Sequence, residues 1–214
     1  LKKIILCSAL ILGASQITLA VDSPVVELQS LLKPISSMRA KFTQTVFNNQ
    51  NKIMQNSSGN MEFQKPSSFR WQIEQPEPNL IITDGKKIWN YDVELEQVTV
   101  QKFNANKEIS PISFLFKDLE ALSKDFTIVK INDQNSLCRK HAENCFKLAP
   151  KQDNSSFLAV ELGFTKGQLM LMRLFDHLGQ TSVFNFTQVQ NNTKIANARF
   201  TFIPPEGIDV IGEI

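Results

Sequence analysis

Histidine is almost missing from this chain, with only His141 and His177 among 214 residues. There is no His-Glu-x-x-His run, no Gly-x-Ser-x-Gly elbow and no phosphate-binding glycine loop. Acids and serines are present, but no spacing makes them converge, so catalysis is the weakest reading. Polar aromatics are scarce too: one Tyr and two Trp stand against 16 Phe. Phenylalanine has no polar handle, so a surplus of it suits a core or a dry apolar cavity, and composition does not choose between them. Long runs of one charge are absent and the net charge is only +2, which excludes nucleic acid as a partner. No repeat, linker or low-complexity stretch divides the chain, whose length fits one domain with a substantial core.

What is present begins with an export signal. Lys2 and Lys3 form a positive start, residues 4–14 are a short apolar stretch, and Thr18, Leu19 and Ala20 give a peptidase its small residues. Residues 1–20 are therefore expected to be a cleaved signal peptide, and residues 21–214 one exported domain. Cys7 follows Leu6, not a small residue, so it does not make a lipidation site. Removing 1–20 takes two lysines and no acid, leaving 21 basic against 21 acidic residues. Cys138 and Cys145 remain, and an exported chain with two nearby cysteines is expected to join them. Closing that short loop restricts the unfolded chain by about 2.5 kcal/mol. Adding His141 would make a metal site with three candidate ligands and no fourth, a poor zinc geometry.

Hydrophobic periodicity predicts the elements. Ser23 and Pro24 open a helix whose stripe is Val25, Leu28 and Leu32, and Pro34 stops it. Alternation then takes over at 38–46, 59–63 and 69–73. Asp84 and Gly85 mark a hairpin between 80–83 and 88–91, and 95–103 gives another strand. Ser110 and Pro111 open a short amphipathic helix carrying Ile112, Leu115, Phe116, Leu119 and Leu122. Strands resume at 126–131, 145–149, 157–164, 168–175, 181–189 and 198–203. The fold class is mainly β: a single large antiparallel sheet curled into an unclosed half β-barrel with a lid of short α-helices. Such a hollow, walled with apolar side chains, is where a hydrophobic ligand goes.

Five segments in order resemble the LolA family of outer-membrane lipoprotein carriers. They are FTQ at 42–44, GNMEFQKP at 59–66 followed by FRW at 69–71, ITDGKKIWNY at 82–91 with LEQV at 95–98, the Ser110-Pro111 helix start, and FTFIPPEG at 200–207. The resemblance implies an unclosed barrel of about eleven strands, a helical lid and a hydrophobic cavity for acyl chains. It also implies a periplasmic carrier without enzymatic activity or cofactor. Its partners would be lipoproteins, an inner-membrane ABC transporter that loads it and an outer-membrane receptor that unloads it, with the carrier itself a monomer. Candidate cavity residues are Phe42, Met61, Phe63, Phe69, Trp71, Ile73, Trp89, Tyr91 and Leu115. An apolar residue on an alternating strand is more often core than ligand contact, but in a lidded hollow the wall is the core. The family usually places Arg before the proline of its second motif, where the guanidinium ties lid to sheet. Lys65 stands there in this chain, with Arg70 as a second candidate for the latch and a solvated surface lysine as the alternative. Carriage of another lipid, for example a glycolipid, is the alternative function, and an envelope hydrolase the more distant one.

Overall fold

The computed structural model describes residues 23–103, 113–152 and 155–212. The expected signal peptide and the Ser110-Pro111 helix start lie outside the described residues.

Helix α1 (Pro24–Leu32) begins as its sequence suggests, with proline in the first turn, and it buries Leu28 and Leu32. The chain then runs through β1 (Ser37–Phe47), β2 (Ile53–Gln64), β3 (Ser68–Gln75), β4 (Asn79–Thr83), β5 (Lys87–Asp92) and β6 (Gln97–Lys102). Beyond a short 3₁₀ turn at Ser113–Leu115 come α2 (Leu119–Asp125), β7 (Phe126–Lys130), α3 (Leu137–His141), β8 (Asn144–Pro150), β9 (Ala159–Thr165), β10 (Gln168–Phe175) and β11 (Thr181–Asn191). A second 3₁₀ turn, Asn197–Phe200, leads to β12 (Asp209–Gly212).

Among the described residues, twelve strands form one sheet in the order β12-β6-β5-β4-β3-β2-β1-β11-β10-β9-β8-β7. It is a meander folded about β1, which pairs with β2 on one side and β11 on the other. Every pairing is antiparallel except the edge strand β12, which runs parallel to β6. The two ends of the order, β12 and β7, do not pair, so the sheet is not closed into a barrel.

Three sequence expectations are corrected. The helix expected over 110–122 is broken: Asp118 caps a fresh start at α2, its carboxylate accepting from the Ala121 N–H at 2.8 Å. Lys117, just before that cap, is buried and ion-paired with Asp125 at 2.7 Å, which closes the segment on itself. The strand expected over 198–203 is a 3₁₀ turn followed by extended chain, because its alternation packs side chains on the sheet without entering a ladder. The pattern did not announce α3, which carries Cys138; Ser136 caps it by accepting from the Arg139 N–H at 3.2 Å.

Two covers follow from the register. Met38, Ala40 and Phe42 of β1 share a face with Met61 and Phe63 of β2 and with Phe69 and Trp71 of β3. This inner face meets α1, the first 3₁₀ turn and α2 in one continuous core that includes Leu28, Leu32, Phe114, Leu115 and Leu122. On the opposite, outer face a separate small core joins Cys138 of α3 and Ala142 just after it to Cys145 and Leu171.

Candidate functional site

The inner face is built around Trp71. Its ring stacks on Phe42 with centroids 3.9 Å apart and planes 22° from parallel. Those residues belong to β3 and β1, with β2 between them, and Gly59 makes the reach possible. A Cβ at Gly59 would come within 2.9 Å of the Phe42 ring and 1.9 Å of the Gln72 carbonyl oxygen. Phe184 meets Trp71 edge-on at 5.3 Å and Phe186 at 6.5 Å, both from β11, while Phe69 stacks on it at 6.1 Å. Each such pair adds about 0.5–1.5 kcal/mol to simple burial, and apart from the Trp71 indole N–H these rings carry no hydrogen-bonding group. The wall is apolar contact without direction.

The helical cover presses on this wall in the same manner. Phe116 sets its ring edge-on to Phe63 at 5.9 Å, and Leu115 is buried beside it in the shared core. Polar ties between cover and sheet are few. Lys65, in the β2–β3 turn, donates from Nζ to the Leu32 carbonyl at 3.0 Å. Leu32 ends α1, where the negative end of the helix dipole favours a cation; its carbonyl also accepts from the Ile35 N–H at 3.2 Å. Burial pushes the Lys65 ammonium below the ordinary lysine value. At the far edge Lys130 of β7 pairs with Glu27 of α1, and Lys151 Nζ donates to the Ser123 carbonyl of α2 at 2.6 Å.

Of the residues singled out from sequence, Phe42, Met61, Phe63, Phe69, Trp71 and Leu115 come together in the inner core, with partly buried Ile73 packed against it. Trp89 and Tyr91 do not. They stand opposite Ile82 and Leu80, in register with Arg70 and Gln72, and so project from the outer face. There the Phe202 ring sits 5.7 Å from each of them, over a floor of buried Val98 and Val100. Alternation had shown two faces without saying which was inner. Arg70 is also outward: its Nη2 donates to Gln72 Oε1 at 3.0 Å, away from the helices. Of the two latch candidates, only Lys65 touches the cover.

Sequence reasoning passed over Phe184 and Phe186 as wall residues, while Leu28 and Leu32 of the expected helical stripe do lie in the shared core. The two phenylalanines alternate within 181–189 as clearly as Phe69 and Trp71 do, so the signal was there. The cysteines are joined, with Sγ–Sγ 2.04 Å. His141 Nδ1 lies 2.9 Å from the Leu137 carbonyl, and His177 Nε2 lies 2.9 Å from that of Ser155. Among the described residues no group of three or more His, Cys, Asp or Glu side chains is placed to hold a metal ion.

Residues 33–203 match the family described as outer membrane lipoprotein carrier protein LolA. The chain belongs to the LolA family. A LolA-family relative from Nitrosospira multiformis, named outer-membrane lipoprotein carrier protein, is 39% identical over 187 residues, which cover 87% of each chain. A protein of the same name from Dechloromonas aromatica is 36% identical over 195 residues, 91% of this chain and 90% of its own. Among solved structures, an uncharacterized conserved protein from Thermus thermophilus superposes with a TM-score of 0.51 at 14% identity. That match covers 86% of this chain and 98% of the other and speaks for the fold alone. The LolA match starts just after α1, so the inner wall, Lys65 and α2 all fall inside it, while α1 and β12 lie beyond its ends.

Proposed function

We propose that this protein is a periplasmic carrier of lipoproteins, exported by a leader at residues 1–20 that is removed. It takes the acyl chains of lipoproteins released from the inner membrane by an ABC transporter and surrenders them to an outer-membrane receptor. It works as a monomer and without catalysis. The single observation that carries this reading is the pairing of a predominantly apolar aromatic wall with a helical cover held to it mainly by apolar contact. The relatives from Nitrosospira multiformis and Dechloromonas aromatica are named outer-membrane lipoprotein carrier proteins, which supports the cargo class.

The physical logic is one of exchange. Each methylene withdrawn from water contributes about 0.8 kcal/mol, and an acyl chain brings many of them. Leu28, Leu32, Leu115 and Phe116 fill the hollow when it is empty; lipid replaces one set of apolar contacts by another as the cover swings aside. Part of the gain is therefore cancelled by the cover's own lost burial. This keeps the carrier below the saturation of non-covalent affinity near −18 to −21 kcal/mol, and lets a membrane or receptor compete. Lys65 is the latch, a single cation on the end of α1 that opens without disturbing the wall. Phe42, Met61, Phe63, Phe69, Trp71 and Ile73 line the lipid site.

The test is release from spheroplasts of the source bacterium. Purified protein lacking residues 1–20 is expected to draw newly made lipoproteins into soluble complex in an ATP-dependent manner. Absence of released lipoprotein in that assay contradicts the proposal, and another lipid recovered from the purified protein would redirect it to that cargo.

A further inference from the structure

The outer face holds a pocket that lipid carriage does not use. It lies where β1, β2 and β11 meet, has a volume of about 530 Å³, and is lined by Arg39, Lys41, Asn60, Glu62, Gln190 and Arg199 among others. Glu62 is only 6% exposed. One of its oxygens is 2.8 Å from Arg39 Nε, and the other accepts from Nε and Nη2 of Arg199, both at 2.8 Å. That pairing anchors the Asn197–Phe200 turn to the sheet, yet it is lopsided: three cations line the pocket and one carboxylate serves two of them. A guanidinium has five N–H donors, so most of each fork has no carboxylate partner among the described residues. Arg70 lies close behind; its pKa is lowered by burial first and then by the charge of Arg199, with Glu62 acting the other way. The next carboxylate along the face, Glu74, accepts from the Asn60 amide at 2.7 Å. The chain as a whole carries only +2, so this concentration of positive charge is local.

The backbone is shaped here as well. The β1–β11 register slips between Arg39 and Lys41, and Gln188 takes a φ of +52° at the slip. A side-chain-bearing residue in that region costs on the order of 1–2 kcal/mol, and a bulge re-aims the side chains beside it. Gln188 joins Gln190 and Asn60 as amide groups on the pocket wall.

We propose that this pocket docks an acidic segment of a protein partner, whose Asp or Glu carboxylates engage the guanidinium and ammonium donors that Glu62 leaves unused. Planar forks match carboxylates two bonds at a time, and the surrounding amides add neutral donors. A bilayer would be a poorer fit, since the wall presents polar side chains where membrane binding calls for exposed apolar ones. The inference stands apart from the cargo reading and does not depend on it.

The experiment is an NMR titration of ¹⁵N-labelled protein lacking residues 1–20 with a hexaglutamate peptide. Saturable, salt-sensitive shifts are expected at Lys41, Asn60, Gln188 and Gln190, with none of that pattern from hexalysine. A Lys41→Glu, Gln190→Glu double variant leaves the Glu62 bonds in place and is expected to bind the peptide at least tenfold more weakly. Shifts scattered over the surface, or binding unchanged in the double variant, would overturn the proposal. So would the same residues responding to phosphatidylglycerol vesicles while ignoring the peptide, which would make the pocket a membrane contact.

Discussion

The two faces of the sheet are covered by different physics. On the outer face, α3 is bolted down by the Cys138–Cys145 bond, and it sits so close to β9 that a Cβ on Gly163 would lie 2.8 Å from the Ala142 methyl carbon. Further along that face, Arg199 is tied to a buried carboxylate, and Phe202 rests between Trp89 and Tyr91. On the inner face, α1, the first 3₁₀ turn and α2 lie over an aromatic wall through contacts that have no preferred direction. The polar ties there are cations at the ends or edges of the helices. Both covers bury apolar surface. The inner cover can lift without a covalent bond breaking and without separating a carboxylate as buried as Glu62. What it must release is the Lys65 contact and the half-buried Glu27–Lys130 pair.

Four substitutions or conditions sharpen this contrast, in falling order of effect. Trp71→Ala removes the ring shared by Phe42, Phe69, Phe184 and Phe186, and about 3–5 kcal/mol of stability should go with it in denaturant unfolding. Lipid uptake should fall together with stability, since wall and core are one. Replacing both Cys138 and Cys145 by serine should cost about 2.5 kcal/mol yet leave lipid uptake unchanged. Impaired uptake by that stable-enough variant would show that the outer cover matters to cargo and erase the distinction. Lys65→Met removes one hydrogen bond to the Leu32 carbonyl and should cost about 1 kcal/mol. The sharper readout is faster hydrogen exchange in α1, restored by Lys65→Arg and absent in α3.

The smallest effect is a pH dependence. Burial holds the folded-state pKa of Lys65 below 10.5, so between that depressed value and 10.5 the unfolded chain binds more protons than the folded one. Stability from this residue is therefore least below the window and rises with pH across it. The difference in unfolding free energy between the wild-type chain and Lys65→Met should shift in favour of wild type as pH is raised through that range. A constant difference would mean that the amine is not buried as described.

How much of this was legible in the sequence depends on which physical signal each feature leaves. Period-two alternation placed Phe69 and Trp71 on strands, and Asp84-Gly85 placed the hairpin that follows. Alternation has no sign, however, so Trp89 and Tyr91 read as cavity residues when the hairpin register, Thr83 opposite Ile88, turns them outward. The break at Asp118 was written in the sequence as an acidic cap, but the apolar spacing of Leu115, Leu119 and Leu122 bridges it and masks the stop. Helix α3 has five residues, too few for a helical period to show against the cysteines. Glu62 alternates with the inward Met61 and Phe63; its pairing with Arg199, 137 positions away, is something no local pattern reports. Lys65 was found only through its place before Pro66 in a family motif, and the structure adds the carbonyl it reaches.

If the inner cover yields to lipid and the outer one does not, lipid should loosen α1 and α2 alone. Hydrogen–deuterium exchange read with and without a synthetic triacylated lipopeptide tests it most directly. Lipopeptide is expected to strip protection from the amides of α1 and α2 while those of α3 and of Asn197–Phe200 keep theirs. Unchanged protection in α1 and α2 with lipopeptide bound, or equal loss in all four segments, would contradict it.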